Sequence, residues 1–342
     1  MKIGYFCYNL SGTGPRTRAK DVINGIAENT DIEVVVLTNE PRLVSDRAEA
    51  IEISLRNIIR AAWLTRRMFS DVDVVQVPIN IYQVLFVRFF YSGPLVAGVG
   101  PGIQPTHRHR LLGRLLGIDK KITVHDKVTI WGESGYSTEP VTATINRNVF
   151  YPFDSEERKR TRHELGLNDD ADVILYVGEL NKEYGAEIIG EMAKLASEDD
   201  TLKFIVVGDG KLRENFEDRD DLRYEGFVDN NQLPIYYNAA DITVGPRKTD
   251  VTSNVGLESI ACGTPFITTA DGYIKEFFED RKTYVWAERT PEKVLNTAKS
   301  LLENDKEYKR QVERGLNTFD DMSLTLESAI DTHIKVYDEL TQ

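Results

Sequence analysis

The feature that most constrains this chain is a rhythm. Short apolar runs alternate with helical periodicity from one end to the other. The runs near 2–8, 32–37, 72–77 and 95–99 have the continuous apolar character of strands buried on both faces. A second set follows at 173–177, 204–207, 242–244 and 266–268, with helical patterns at 54–69, 186–196, 232–239 and 255–262. Such alternation predicts an α/β chain of parallel sheets covered by helices on both faces. In 54–69, Leu55, Ile58, Ile59, Ala62 and Trp63 form one apolar side, as a helix covering a sheet requires, and Ser54 is placed to cap it. The most apolar stretch, 79–99, is broken by Arg88 and Pro94 and reads as a helix followed by a buried strand rather than a membrane span.

At 342 residues the chain is long enough for two cores. Its character changes at Pro152, Phe153 and Asp154, where Ser155, Glu156 and Glu157 open a charged helix that Gly166 ends. The expected domains are therefore 1–152 and 153–322, and the last helix, in 323–342, is read as packing across both. Met1 and Lys2 run straight into a strand pattern, so no secretory leader is expected. Cys7 and Cys262 each sit in apolar surroundings and read as buried small hydrophobes, which fits a cytoplasmic protein. The net charge of −13 is uneven: residues 1–150 hold 18 Lys/Arg against 14 Asp/Glu, and residues 151–342 hold 24 against 41. Nucleic acid is thus not an expected partner, because phosphate backbones need clustered cations. The more basic first half could approach an anionic surface, as a protein peripheral on a membrane would, although ordinary solvated helix faces explain it better.

In open α/β sheets ligands bind beyond the carboxyl ends of the strands. After the first strand come Gly12, Gly14, Pro15 and Arg16, a turn into a helix N-terminus that could hold a phosphate or only a turn. A third glycine of the dinucleotide fingerprint would fall at Thr17, which argues against a nicotinamide dehydrogenase. Gly208 and Gly210 flank Asp209 after a later strand as a second close-approach turn. The most informative segment is 245–265: a strand end at Gly245, a polar loop, a helix starting near Asn254, a stop at Gly263 and a new strand after Pro265. Backbone N–H groups of such a loop make an anion site, and Glu258, one turn inside the helix, is expected to point back towards the same mouth. Asp71 and Asp73 precede their strand, as do Asp169, Asp170 and Asp172, so no metal site is expected. The basic stretch 107–127, with Leu111, Leu112, Leu115 and Leu116 interleaved, reads either as a lipid-headgroup contact or as a core-facing helix.

Asp250, seven residues, Glu258, then a small-residue helix end with Gly263 and Pro265 resembles the signature of the family 4 retaining glycosyltransferases. Further likeness lies in Tyr176–Gly178, 204–210, 225–228, Tyr236, Tyr237 and Asp241, and in the asparagine-containing stretch 145–149. The resemblance is detailed over 140–280 and a matter of rhythm over 1–140. It implies the GT-B architecture, two facing Rossmann-like domains with an interdomain cleft, and transfer of a sugar from a nucleoside-diphosphate sugar to an acceptor hydroxyl without a cofactor. It further implies that Glu258 receives the donor ribose hydroxyls, that Asp250 faces the donor sugar, that Thr252, Ser253 and Asn254 hold the diphosphate, and that Phe227 and Val228 border the base.

The chain departs from that family at two places. Where the family sets an Arg and a Lys on the diphosphate, this chain has Glu179 and Tyr184, so Lys182, Arg247 and Lys248 become the candidate cations. The family's first-domain histidine has no clear equivalent among His107, His109 and His125. The acceptor is unidentified, and a lipid-linked or membrane-proximal one fits the charge asymmetry. Two readings follow, an active glycosyltransferase or a lapsed homologue that binds a nucleotide or sugar and supports a partner.

Overall fold

The protein is described by a computed structural model over residues 1–342, apart from 11–14, 79, 100–115, 124–136, 141–144, 249–253, 271–274, 276–277, 280–281 and 323. It divides into two units, one formed by 1–144 with 323–342 and the other by 145–322.

The first unit is built on seven parallel strands: β1 (Lys2–Phe6), β2 (Glu33–Thr38), β3 (Glu49–Glu52), β4 (Val74–Pro78), β5 (Leu95–Val99), β6 (Lys120–Thr123) and β7 (Ser137–Pro140). Their order across the sheet is β3-β2-β1-β4-β5-β6-β7. Successive side chains of a strand point to opposite faces, so β1 sends Ile3 and Tyr5 into one core layer and Phe6 into the other. Helix α1 (Pro15–Asn29) covers the first layer, and α2 (Ile58–Met68) and α3 (Ile81–Phe90) contribute to the second.

Helix α2 departs from expectation. Its N-cap is Asn57, whose side chain accepts the Arg60 N–H at 3.1 Å, rather than Ser54. Its buried residues are Ala61, Leu64 and Thr65, whereas Ile58, Ile59 and Trp63 are 60%, 81% and 56% exposed. The apolar side expected to cover the sheet is the outward one.

The last helix of the chain, α10 (Leu326–Thr341), falls within the first unit. Ile330 and Tyr337 enter the α1 layer, and Gly25 makes room for Ile330, because a Cβ there would lie 2.5 Å from its Cδ1. The Tyr5 and Tyr337 hydroxyls meet at 2.6 Å, and Tyr337 donates to Gln76. His333 of α10 is buried, with Nδ1 2.7 Å from the Ala329 carbonyl, and burial lowers its pKa from 6.5 to about 4. The unfolded chain therefore binds a proton that the folded chain refuses between these values. Stability is fully present above about pH 6.5 and falls as pH drops towards about 4, by on the order of 3 kcal/mol from this residue. Melting curves across that range should show the decline, and His333→Gln should flatten it.

The second unit holds β8 (Asp172–Val177), β9 (Leu202–Val207), β10 (Arg223–Gly226), β11 (Ile242–Gly245), β12 (Phe266–Thr268) and β13 (Val285–Trp286), all parallel in the order β10-β9-β8-β11-β12-β13. Its helices are α4 (Ser155–Glu164), α5 (Ala186–Leu195), α6 (Leu233–Ala239), α7 (Asn254–Ala261), α8 (Pro291–Leu302) and α9 (Asp305–Met322). The charged helix expected there is α4, and Asp154 caps it, with its Oδ1 accepting the N–H groups of Glu156 and Glu157 at 2.9 and 2.8 Å.

The unit begins at Ile145, earlier than the expected 153, because the segment before α4 is tied to α6. Asn238 donates to the Tyr151 carbonyl at 3.1 Å and accepts the Phe153 N–H at 2.7 Å, while Phe150 packs on Tyr237. Arg158 and Arg162 of α4 both reach Asp241, at 2.7 and 3.2 Å, and Asp241 also accepts the Val173 N–H at 2.8 Å. That carboxylate joins α4 to the starts of β8 and β11. The strand order reverses between β8 and β11, so the chain leaves those two strands in opposite directions and opens a crevice beyond their carboxyl ends.

Candidate functional site

Three loops beyond these strand ends are locked together by glycines. A Cβ on Gly208, after β9, would lie 1.9 Å from the Gly178 carbonyl oxygen after β8, and one on Gly210 would lie 2.6 Å from that of Leu180. The close approach read from the sequence at Gly208 and Gly210 is thus made to the neighbouring loop. Leu180 donates its N–H to Asp209 at 2.9 Å and Leu212 donates to Leu180 at 2.9 Å, which completes the pairing. Gly185, left-handed at φ +77 as the N-cap of α5, sits against the loop after β11, where a Cβ would lie 2.1 Å from the Pro246 carbonyl oxygen.

Across that junction the Arg247 guanidinium lies over the Tyr184 ring, 4.0 Å from its centroid. The Arg247 carbonyl accepts the Thr269 hydroxyl at 2.7 Å, which fixes the backbone of the loop. Arg289 ties the two loops from behind, donating to the carbonyls of Pro246 at 3.0 Å and Lys182 at 3.1 Å, and pairing with Glu187 at 3.3 Å. Arg289 carries no motif of its own; its local mark in the sequence is its place just before the Thr290 cap of α8. Lys182 and Lys248 have exposed side chains on either loop, and Glu179 is exposed as well. The position that resemblance assigns to a lysine therefore carries an aromatic ring with a cation stacked on it from the next loop.

Glu258 is the fifth residue of α7, a helix whose residues 256–261 are all buried. Instead of opening freely on the loop mouth, its side chain is held inside, and the residue is only 6% exposed. Oε2 accepts the Tyr237 hydroxyl at 2.9 Å and Oε1 accepts the Asn230 amide at 3.2 Å. Burial, and then the charge of Glu258, push the Tyr237 hydroxyl well above its ordinary pKa and keep it a donor. Asn230 is exposed on the turn between β10 and α6, in the same turn as Phe227, 70% exposed, and the half-buried Val228. The carboxylate thus runs from a buried tyrosine to a surface turn. Tyr237 and Asn230 lie 21 and 28 positions before Glu258, too far for local spacing to reveal the contact.

Asn254 opens α7 as expected, but Asp250, Thr252 and Ser253 lie outside the described residues, as do Gly12, Gly14, His107, His109 and His125. Arg16 is an exposed residue of the first turn of α1. Of the four leucines in the stretch 107–127, Leu116 is described and is buried in the core beside α3. Asp71 pairs with Lys2 at 2.8 Å, and Asp73 accepts the Lys2 N–H at 2.7 Å, so both act at the start of β4. Among the described residues no group of three His, Cys, Asp or Glu is arranged to hold a metal ion. Cys7 and Cys262 are free and buried, and burial pushes the Cys7 thiol up to about 12.

Residues 157–318 match the family described as glycosyl transferases group 1. An uncharacterized glycosyltransferase of Methanocaldococcus jannaschii is 31% identical over 139 residues, 38% of this chain and 35% of that protein. The alpha-monoglucosyldiacylglycerol synthase of Streptococcus pneumoniae is 26% identical over 134 residues, 37% of this chain and 30% of that enzyme. The matched segment thus spans about a third of the length of each of these relatives. Among solved structures, Anabaena HepE in complex with UDP superposes with a TM-score of 0.77 at 13% identity, covering 99% of this chain and 100% of that one.

Proposed function

From the match of residues 157–318 to the glycosyl transferases group 1 family and from the GT-B fold, we propose that the chain transfers a sugar from a nucleoside-diphosphate sugar to an acceptor hydroxyl with retention of configuration. The observation that carries this reading is the Glu258 carboxylate, braced by Tyr237 and Asn230 at the turn holding Phe227 and Val228. A carboxylate suits the paired hydroxyls of a ribose, and an exposed aromatic ring in the turn beside it suits a base. The HepE complex with UDP supports a nucleotide donor for this architecture.

In this reading Arg247 is the cation for the diphosphate. As the glycosidic bond breaks, negative charge develops on the leaving group, and a fixed guanidinium stabilises it without reorganising. Tyr184 holds that guanidinium in place through its π face. Lys182 and Lys248 add positive charge from the two loops. The proposal requires no cofactor besides the donor. A lipid-linked acceptor is favoured by the S. pneumoniae relative, whose name marks a glycolipid product.

Release of free nucleoside diphosphate from a panel of nucleotide sugars, with glycolipid and sugar acceptors, tests the reaction. The anomeric configuration of the product tests retention. Arg247→Ala should lower kcat/KM by about a hundredfold, Tyr184→Ala should lower it less, and Tyr184→Phe, which keeps the ring face, should stay near the parent. Full activity in Arg247→Ala would remove its role. Glu179 and Tyr184 also favour a second reading, a lapsed homologue; nucleotide binding without turnover across the whole panel would select it.

A further inference from the structure

The outward side of α2 and its neighbour α3 is the least expected surface of the first unit. Ile58, Ile59 and Trp63 project from α2, and Tyr82, Leu85 and Phe89 from α3 are 78%, 42% and 83% exposed. The two helices pack against each other and cover the same face of the sheet, so their outward sides adjoin. Scattered apolar side chains on a surface need no explanation, but six large ones on two adjacent helices do.

The charge around them is equally one-sided. Arg56, Arg60, Arg66 and Arg67 are exposed, and none is in an ion pair among the described residues. Residues 53–99 hold five arginines, of which Arg88 is turned inward to Asp119 and backbone carbonyls, and only two acidic residues, Asp71 and Asp73, in a chain whose net charge is −13. Both acids are engaged by Lys2. The Arg67 guanidinium stacks on the Trp63 ring at 5.0 Å, holding an amphipathic ring between charge and apolar surface. No described helix is long and apolar enough to cross a membrane.

We propose that the α2–α3 face docks the first unit on the surface of an anionic lipid bilayer, with Ile59, Trp63 and Phe89 entering the headgroup boundary and the arginines meeting lipid phosphates. An apolar stripe edged by arginines, with a tryptophan between them, is the composition of helices that lie in the interface plane. A protein partner would not need a region stripped of carboxylates over so long a segment; an anionic surface does.

Flotation of the full-length protein with vesicles of phosphatidylcholine alone, or of phosphatidylcholine mixed with phosphatidylglycerol, reads the binding directly. The mixed vesicles should carry the protein and the neutral ones should not, and added salt should weaken the association. Arg60→Glu, Arg66→Glu and Arg67→Glu should each weaken it by roughly fivefold or more. Combined Ile59→Ser and Phe89→Ser should abolish it. These side chains are outside the core, so unchanged melting of the variants confirms that the fold is intact. Binding that ignores lipid charge, binding unchanged in the variants, or no binding to either vesicle overturns the proposal. So does a dimer in sedimentation that the same substitutions dissociate, since the face would then be a contact between copies of this chain.

Discussion

Replacing Glu258 with alanine should lower the affinity for the nucleotide-sugar donor by about a hundredfold or more and remove measurable transfer. A hydrogen bond to a charged group contributes about 1.5–3 kcal/mol, and a ribose offers two hydroxyls to one carboxylate. The same substitution leaves the buried Tyr237 hydroxyl without its acceptor, which costs stability by about 1–3 kcal/mol. The two effects separate experimentally. Calorimetric titration below the melting transition reads donor affinity alone, and Glu258→Gln, which keeps an acceptor for Tyr237, should recover stability more than affinity. An alanine variant that is folded and binds and transfers like the parent would end the role assigned to Glu258.

The second large effect is on stability. Asp241→Ala should destabilise the second unit by about 3–5 kcal/mol, because it removes one partner of a largely buried charge cluster. Arg162 is 2% exposed and would keep only carbonyl acceptors, from Ala239, Asn168 and Ala171. Arg158 would lose its 2.7 Å contact, and the Val173 N–H at the start of β8 would lose its acceptor. For a unit of this size such a loss lowers the melting temperature by roughly 6–20 °C. A variant melting within a degree or two of the parent would show that the cluster contributes orientation rather than stability. The cluster lies at the opposite ends of β8 and β11 from the candidate site, so residual donor binding at low temperature should persist.

The α/β rhythm was legible because a parallel strand buried on both faces leaves an unbroken apolar run, as in Val34, Val35, Val36 and Leu37. Strands without such a run, β6 with Lys120 and Lys121 and β7 ending in Glu139 and Pro140, escape the same reading. Helical periodicity revealed that α2 has two sides but not which one is inside. The sheet accepts the small contacts of Ala61 and Thr65 with Leu64, and the richer stripe through Ile59 and Trp63 faces out. At the site, Glu258 and Arg247 were recognisable from a local pattern. Their bracing by Tyr237, Asn230 and Arg289 depends on loops distant in sequence that meet only in the folded sheet. The glycines at 208 and 210 marked a close approach correctly in kind, yet the partner is another loop of the protein.

The claim on which the account turns is that the crevice beyond β8 and β11 accepts a nucleoside diphosphate. Thermal melting of the full-length protein with UDP, GDP, ADP, CDP and TDP measures this most directly. A ligand at a hundredfold excess over its Kd stabilises the folded state by about 2.7 kcal/mol. A rise of several degrees is expected with at least one of the five, reduced in both Arg247→Ala and Glu258→Ala. Melting that none of them changes, or a rise that both variants retain in full, would contradict it.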